Sequence, residues 1–346
     1  MSSIFSSFGR DIGMDIGTVN THVYVEGRGV VLSEPSVVAT DAKQKNIVAV
    51  GDEAERMLLK SPDMHEELHP LKDGFIVDYR VMLTMIRQFL RKAAKSIRRS
   101  RVMVSVPCGI TDVEKRATLD ALIQAGAREA YLVETPVAAA LGAGLPVFDA
   151  IGTMAVDVGG GSTDVAVLAL GGKVVGRTAR IGGSDINAAI LQYIQQCFSL
   201  MVADETIEML KVELASAMPV EEEEDKRIKG RDASTGLMRD VVVRKSEIYQ
   251  AIKEPVHQIC QVIRSVVEQT PPELSADIMK QGIVLAGETA LLSGLGEKVS
   301  EELGGIPVWV PEEPEYVVAR GLGRGLEAFD QMERFFVASK NRKGRA

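Results

Sequence analysis

The sequence has little cysteine and no cysteine motif. Its 346 residues include three cysteines, Cys108, Cys197 and Cys260, which are odd in number and lack CxxC spacing. A disulfide framework is therefore excluded, and we expect reduced thiols in the core of a cytoplasmic protein.

Long apolar runs and a surplus of basic residues are missing too. No segment has the length of a membrane span, and no signal-peptide pattern is visible. The net charge of −8 argues against nonspecific binding of nucleic acid, so we expect no nucleic-acid partner. The composition is globular, 46% apolar and 25% charged, and the length suits two domains.

Histidine is rare as well, with four in the chain. His65 and His69 match the HExxH pattern of zinc proteases. Pro70 ends any helix there, and only His22 and His257 remain as third ligands. We therefore expect a capped helical turn on the surface instead of a zinc site.

A glycine-rich stretch lies near the middle of the chain. An apolar run, 154–158, carries Asp157 and continues into Gly159-Gly160-Gly161-Ser162-Thr163 before apolar residues resume. This pattern predicts a hairpin whose bare tip lets backbone N–H groups surround an anion. Asp157 is costly to bury alone and suits a hydrated Mg²⁺. An ordinary glycine-tipped hairpin explains the same residues.

A second copy near the N-terminus favours the phosphate interpretation. The segment 13–25 again gives a strand with one acid, Asp15, then the turn Gly17-Thr18, then an alternating strand. Such self-similarity predicts two related α/β halves, each offering one hairpin to a shared cleft. Two facing hairpins can clamp a polyphosphate and its metal.

Other segments fit the same cleft. At Glu134-Thr135-Pro136 a strand ends in an acid before a small-residue helix, and this acid either aims at a γ-phosphate or pairs with the helix dipole. The segment 180–185 opens a helix with two glycines and suits an anion or ribose. The turn in 282–292 can approach a base or ribose, and 317–326 is a second small-residue helix for a hinge contact.

The N-terminus predicts a membrane contact. As a helix, residues 1–10 place Ile4, Phe5 and Phe8 on one face, which suits either a short interfacial anchor or a frayed terminus docked on the domain. The basic cluster 98–101 is either a solvated helix end or a site for anionic lipid.

The order of these pieces resembles the actin, sugar kinase and heat-shock ATPase superfamily, and most closely the MreB family of bacterial actins. Further residues that carry the resemblance are 34–39 (EPSVVA), 71–74 (LKDG), 106–111 (VPCGIT), 138–146 (AAALGAGLP) and 271–274 (PPEL). The resemblance implies an α/β, actin-like two-domain fold with duplicated ribonuclease-H-like halves around a nucleotide cleft. The implied division is domain I over 1–145 with an inserted subdomain at 32–75, domain II over 146–318 with one at 185–250, and 319–346 as a helix returning to domain I plus a basic tail.

The resemblance also implies site residues and cofactors, namely ATP or ADP with Mg²⁺. The implied phosphate contacts are Gly17, Thr18, Val19 and Asn20 on one side and Gly159, Gly160, Gly161 and Ser162 on the other. The implied nucleoside contacts are Gly183, Glu208, Lys211, Glu213, Gly287, Glu288, Thr289 and Ala290. Asp15 and Asp157 would hold the metal shell, and Glu134, Thr135 and Thr163 would take part in hydrolysis.

Family members form paired protofilaments at the inner face of the cell membrane and position wall-elongation proteins, so we expect self-association and a membrane partner. Three departures matter. The segment 96–101 carries charges where relatives often carry an apolar pair. Thr135 stands where the family has the glutamate that orients water, which predicts slow hydrolysis because a hydroxyl cannot accept a proton near neutral pH. Glu288 interrupts the family's triple-glycine turn. A plasmid-positioning filament, a hydrolysis-impaired paralogue and a small-molecule kinase remain alternatives.

Overall fold

The structure is a computed structural model that describes residues 10–43, 45–94, 97 and 99–340. The predicted membrane residues Ile4, Phe5 and Phe8 lie outside the described residues, as does most of the basic tail. No helix in these ranges combines the length and apolarity needed to cross a membrane.

The strands are short and the helices vary in length. The strands are β1 (Ile12–Ile16), β2 (Asn20–Val25), β3 (Gly29–Pro35), β4 (Val38–Asp41), β5 (Ile47–Val50), β6 (His65–Leu68), β7 (Leu71–Lys72), β8 (Phe75–Ile76), β9 (Arg101–Val106), β10 (Glu129–Glu134), β11 (Thr153–Val158), β12 (Thr163–Ala169), β13 (Gly172–Ala179), β14 (Leu200–Met201), β15 (Asp225–Asp232), β16 (Met238–Arg244), β17 (Ile283–Ala286), β18 (Val308–Trp309) and β19 (Phe336–Lys340). The α-helices are α1 (Asp52–Lys60), α2 (Tyr79–Ala93), α3 (Asp112–Ala125), α4 (Thr135–Ala143), α5 (Gly183–Phe198), α6 (Asp204–Leu214), α7 (Lys245–Gln269), α8 (Pro272–Gln281), α9 (Leu295–Glu302) and α10 (Val317–Glu327).

Two large sheets repeat one topology. In the first, an antiparallel meander β3-β2-β1 is followed by the parallel strands β9 and β10. In the second, the meander β13-β12-β11 is followed by the parallel strands β17 and β18. The predicted duplication and actin-like fold class are therefore confirmed.

Smaller sheets lie in the two segments predicted as insertions. The first holds β5-β4-β6 and the second β14-β15-β16. After α10 the chain returns to the first sheet, where β19 pairs with β10. The predicted domain boundaries at 145 and 318 stay predictions.

Two local predictions are wrong. His65 begins β6, paired with β4, instead of a helical turn, because Pro62–Met64 closes a short 3₁₀ helix just before it. The three cysteines are free, but they are not all core residues. Cys260 is buried, Cys108 is half-buried and Cys197 is exposed near the end of α5.

The helices α4 and α10 cross at glycines, and this contact joins the two halves below the cleft. A Cβ on Gly142 would lie 1.9 Å from the carbonyl oxygen of Val317, and one on Gly321 would lie 1.7 Å from that of Ala138. Because both obstacles are backbone atoms, neither can be relieved by a side-chain rotation. The small residues of both helices are required for this crossing.

Gly321→Ala should therefore destabilise the fold by about 3 kcal/mol, the upper end of overpacking costs, as measured by chemical denaturation. Gly296→Ala in α9 is the matched control, because its Cβ would meet no atom closer than 3.7 Å and alanine favours helix. Equal stability of the two variants would contradict this account of the crossing.

Candidate functional site

The two hairpins form equivalent turns. In the β1–β2 turn, Gly17 N–H donates to the Asn20 carbonyl at 3.0 Å, and in the β11–β12 turn, Gly159 N–H donates to the Ser162 carbonyl at 2.9 Å. The duplication predicted from sequence thus extends to single hydrogen bonds in the two turns.

The hairpin tips meet face to face. A Cβ on Gly160 would lie 2.3 Å from Val19 Cγ2, and one on Gly161 would lie 2.7 Å from Thr18 Oγ1. Only glycine lets the two tips approach this closely while their backbone N–H groups stay available to an anion.

A third loop closes the site, and sequence reasoning did not assign it a role. The Gly74 N–H donates to Thr18 Oγ1 at 2.8 Å, and a Cβ on Gly74 would lie 3.2 Å from Ser162 Oγ. Asp73 and Gly74 both have positive φ, 53° and 82°, so the turn depends on a glycine here. Lys-Asp-Gly was a usable turn signal.

The cleft enclosed by these loops has a volume of about 640 Å³, part of it open to solvent. All of the predicted phosphate and metal residues line it: Asp15, Gly17, Thr18, Val19, Asn20, Asp157, Gly159, Gly160, Gly161 and Ser162. Thr135, predicted for hydrolysis, and Gly287 and Glu288, predicted for the nucleoside, line it too. Sequence reasoning assigned no site role to seven further lining residues: Ile16, His22, Gly74, Ser105, Pro107, Asp164 and Glu315.

Strand register explains how the acids converge. Asp15 pairs with His22 across the first hairpin, and Asp157 pairs with Asp164 at the equivalent register of the second. Cross-strand partners share one face of a sheet, so each hairpin presents two titratable groups to the cleft. The first hairpin has one acid and one histidine, and the second has two acids.

Burial dominates the electrostatics of these carboxylates. It raises the pKa of Asp157 well above the ordinary value, and the charges of Asp15 and Asp164 raise it further. Burial also raises the pKa of Asp15, opposed by His22 and by a 2.5 Å hydrogen bond from Ser105. Asp157 has no such hydrogen bond among the described residues. A bound cation would therefore offset the cost of burying a charge more at Asp157 than at Asp15.

The donor set fits Mg²⁺ in one particular way. Within the described part of the chain, no three His, Cys, Asp or Glu side chains form a group able to hold a metal ion. Mg²⁺ is commonly bound through one or two carboxylates, water and substrate phosphates. Asp15 and Asp157 therefore suit a metal that enters with a polyphosphate instead of a resident metal.

The three predicted hydrolysis residues do not all lie at the cleft. Thr135 lies at the start of α4 and lines the cleft. Glu134 instead pairs with Lys173 Nζ at 2.6 Å. Thr163 is fully buried on the face opposite Asp164, and its hydroxyl donates to the Ile181 carbonyl at 2.8 Å. The structure thus brings only Thr135 to the cleft.

The predicted nucleoside residues other than Gly287 and Glu288 do not line the cleft, and they form two separate sets of contacts. A Cβ on Gly183 would lie 2.7 Å from Thr289 Oγ1 and 3.6 Å from Lys211 Nζ, so these three residues adjoin. Lys211 pairs with Glu208 at 2.7 Å. Glu213 instead pairs with Lys226 of β15. Ala290 is buried behind the Gly287 turn.

Glu288 reaches across the cleft. Asn20 Nδ2 donates to Glu288 Oε2 at 2.9 Å, a contact between the first hairpin and the turn that follows β17. The backbone on both sides of Glu288 is fixed. Gly287 has φ 89° and its N–H donates to the Pro314 carbonyl at 3.0 Å, while Thr289 Oγ1 donates to the Gly159 carbonyl at 2.9 Å.

Two duplicated halves whose glycine tips meet over an acidic cleft define an actin-like protein. Solved structures agree with this class. MreB5 of Spiroplasma citri bound to ADP aligns with a TM-score of 0.86 at 28% identity, over 93% of this chain and 98% of its own. Its AMPPNP-bound form has the same TM-score. The MamK double helical filament, at 22% identity and TM-score 0.77, supports the fold.

Within that class, the chain belongs to the MreB/Mbl family. The family model described as MreB/Mbl protein matches residues 9–334. The cell shape-determining protein MreB of Escherichia coli K12 is 42% identical over 330 residues, 93% of this chain and 95% of that protein. The cell shape-determining protein Mbl of Bacillus subtilis is 40% identical, over 94% of this chain and 98% of that protein.

The raised pKa of Asp157 predicts that ionising this carboxyl lowers the stability of the fold in a pH-dependent way. The folded protein holds this proton more tightly than the unfolded chain, so the fold loses stability as pH rises from 3.8 towards the raised pKa. Asp157→Asn should stabilise the nucleotide-free protein at pH 7 by about 1 kcal/mol or more, given about 1.4 kcal/mol per pKa unit. The gain should shrink as pH falls and vanish below 3.8, where the carboxyl is protonated in both states.

Urea denaturation across this pH range measures the effect. Asp330→Asn is the matched control, because Asp330 is exposed and should give no gain. A loss of stability for Asp157→Asn at pH 7, or a gain that does not change with pH, would contradict the electrostatic account.

Proposed function

We propose that this chain binds ATP and ADP with Mg²⁺ in the cleft and assembles into filaments. The observation that carries the proposal is the pair of equivalent hairpins whose glycine tips meet over Asp15 and Asp157. The ADP- and AMPPNP-bound MreB5 structures support the same ligand class.

Each wall of the cleft has its own task in binding. The backbone N–H groups of the two tips donate to phosphate oxygens from opposite sides. Asp15 and Asp157 would hold the hydrated metal, and Mg²⁺ would supply the positive charge that the phosphates and carboxylates need. Gly183, Lys211 and Gly287 would contact the nucleoside, and the closeness of Gly183 to Gly160 and Lys211 supports this assignment.

Nucleotide binding would couple to assembly through cleft closure. A ligand held by both tips favours the closed arrangement of the two halves, since it contacts both only when they are together. Subunits repeating head to tail then form an open, heterologous polymer instead of a closed ring. The relatives' names support a role in cell shape, which we extend to this chain together with guidance of wall elongation.

Membrane association is part of the proposal and depends on the sequence alone. Ile4, Phe5 and Phe8 form one apolar face if residues 1–10 are helical. One such anchor binds weakly, but a filament carries many copies and gains affinity through multivalency. We therefore propose filaments at the inner face of the cell membrane.

Mg²⁺ with AMPPNP should increase the fraction of protein that pellets as polymer, because the ligand favours the closed subunit. Sedimentation with electron microscopy of the same samples measures this. Asp157→Asn should lose the Mg²⁺-dependent increase, whereas Asp330→Asn should keep it. Equal pelleting with and without nucleotide in folded wild-type protein would refute the coupling.

A chain lacking residues 1–8 should still form polymer, but this polymer should no longer bind vesicles of anionic lipid.

Thr135 predicts slow hydrolysis, and a substitution can restore a base. Thr135 lines the cleft but offers only a hydroxyl, which cannot accept a proton near neutral pH. Thr135→Glu should raise the rate of phosphate release by about tenfold or more. Thr135→Gln matches its size without a base and should not raise the rate. Equal rates in both variants would place the limiting step elsewhere.

A further inference from the structure

We propose that Glu288 is an internal competitor of the nucleotide. Without a ligand, its carboxylate occupies Asn20, a donor of the first hairpin, and ties the two halves of the protein together; nucleotide must displace it. This inference rests on the proposed function, since it concerns the same cleft. It gives a role to Glu288, a residue outside the two duplicated hairpins.

The contact joins two parts of the chain that are far apart in sequence and belong to different sheets. Asn20 begins β2 of the first sheet, and Glu288 follows β17 of the second, 268 residues away. Both side chains line the cleft. The hydrogen bond of 2.9 Å therefore spans the space that a ligand must enter.

The backbone at both ends of this contact is held in place, whereas the Glu288 side chain can move. The Asn20 carbonyl closes the hairpin turn with Gly17 N–H at 3.0 Å. Gly287 cannot carry a Cβ, which would lie 2.4 Å from the Val158 carbonyl oxygen, and Thr289 is held by Gly159. Glu288 itself is exposed, so its side chain can leave without moving the backbone.

Charge makes the carboxylate a competitor and not only a tie. Among the described residues that line the cleft, none is lysine or arginine and five are acids, namely Asp15, Asp157, Asp164, Glu288 and Glu315. A polyphosphate entering this site needs the Asn20 donor that Glu288 occupies. The polyphosphate and the carboxylate are both anions, so they also repel each other. Binding must therefore break the Asn20 contact and move the carboxylate away.

Removing Glu288 should then tighten nucleotide binding. Isothermal titration of the full chain with AMPPNP and Mg²⁺ should show about tenfold higher affinity for Glu288→Ala, or 1.4 kcal/mol. Glu288→Gln keeps an acceptor for Asn20 but no charge, so its gain should be smaller. Glu268→Gln removes an exposed acid of α7 and should leave affinity unchanged.

Two outcomes of the titration overturn the inference. Weaker binding by Glu288→Ala would make Glu288 a direct contact of the nucleotide. Equal binding would make it a bystander. If neither the wild type nor any variant binds the nucleotide, the proposed function fails, and a measurement without nucleotide decides the inference separately.

That measurement is hydrogen exchange of nucleotide-free protein. Glu288→Ala should speed exchange severalfold in both 17–20 and 287–289, because losing the tie lets the two walls separate. Asn20→Ala should do the same, and the double variant should add little to either. Changes confined to the mutated wall, or full additivity, would overturn the tie, and Glu268→Ala should leave both segments unchanged.

Discussion

The close approach of two glycine tips is the constraint on which the rest of this structure depends. Gly160 and Gly161 lie so near Val19 and Thr18 that a single Cβ would collide with them. The α4–α10 crossing obeys the same rule, since Gly142 and its partner helix touch through backbone. Both contacts join one half of the molecule to the other, so the relation of the halves is set where side chains are missing.

Duplication explains why each hairpin brings an acid to the cleft, and a difference between the two copies makes the cleft asymmetric. The two hairpins agree in their turn hydrogen bonds and in the register of their acids, Asp15 and Asp157. They differ at the cross-strand partner, where His22 faces one acid and Asp164 faces the other. Burial lowers the pKa of His22, so this partner offers little positive charge at neutral pH. The cation that we propose to enter with the ligand would supply the positive charge that His22 does not.

The hairpins and small-residue helices were predictable because their signals are local: an acid, a glycine turn, or alanines at helical spacing. Lys-Asp-Gly signals the turn at Gly74, but no short pattern encodes the tertiary contacts that bring Gly74 and Glu315 to the cleft, so neither was assigned to the site. Thr163 shows the limit within a motif that was recognised. Strand alternation turns it away from the cleft while its neighbour Asp164 faces inward.

Two of the departures from the family pattern, Thr135 and Glu288, would act in one direction in the proposed function. Thr135 puts a hydroxyl in the cleft wall where a base would activate water, so a bound triphosphate would persist longer. Glu288 supplies a cross-cleft contact when no triphosphate is present. Bound nucleotide, held by both tips, would still favour the closed subunit, and slow hydrolysis would prolong that state. A polymer built from such subunits would turn over slowly, which suits a scaffold better than a rapidly cycling filament.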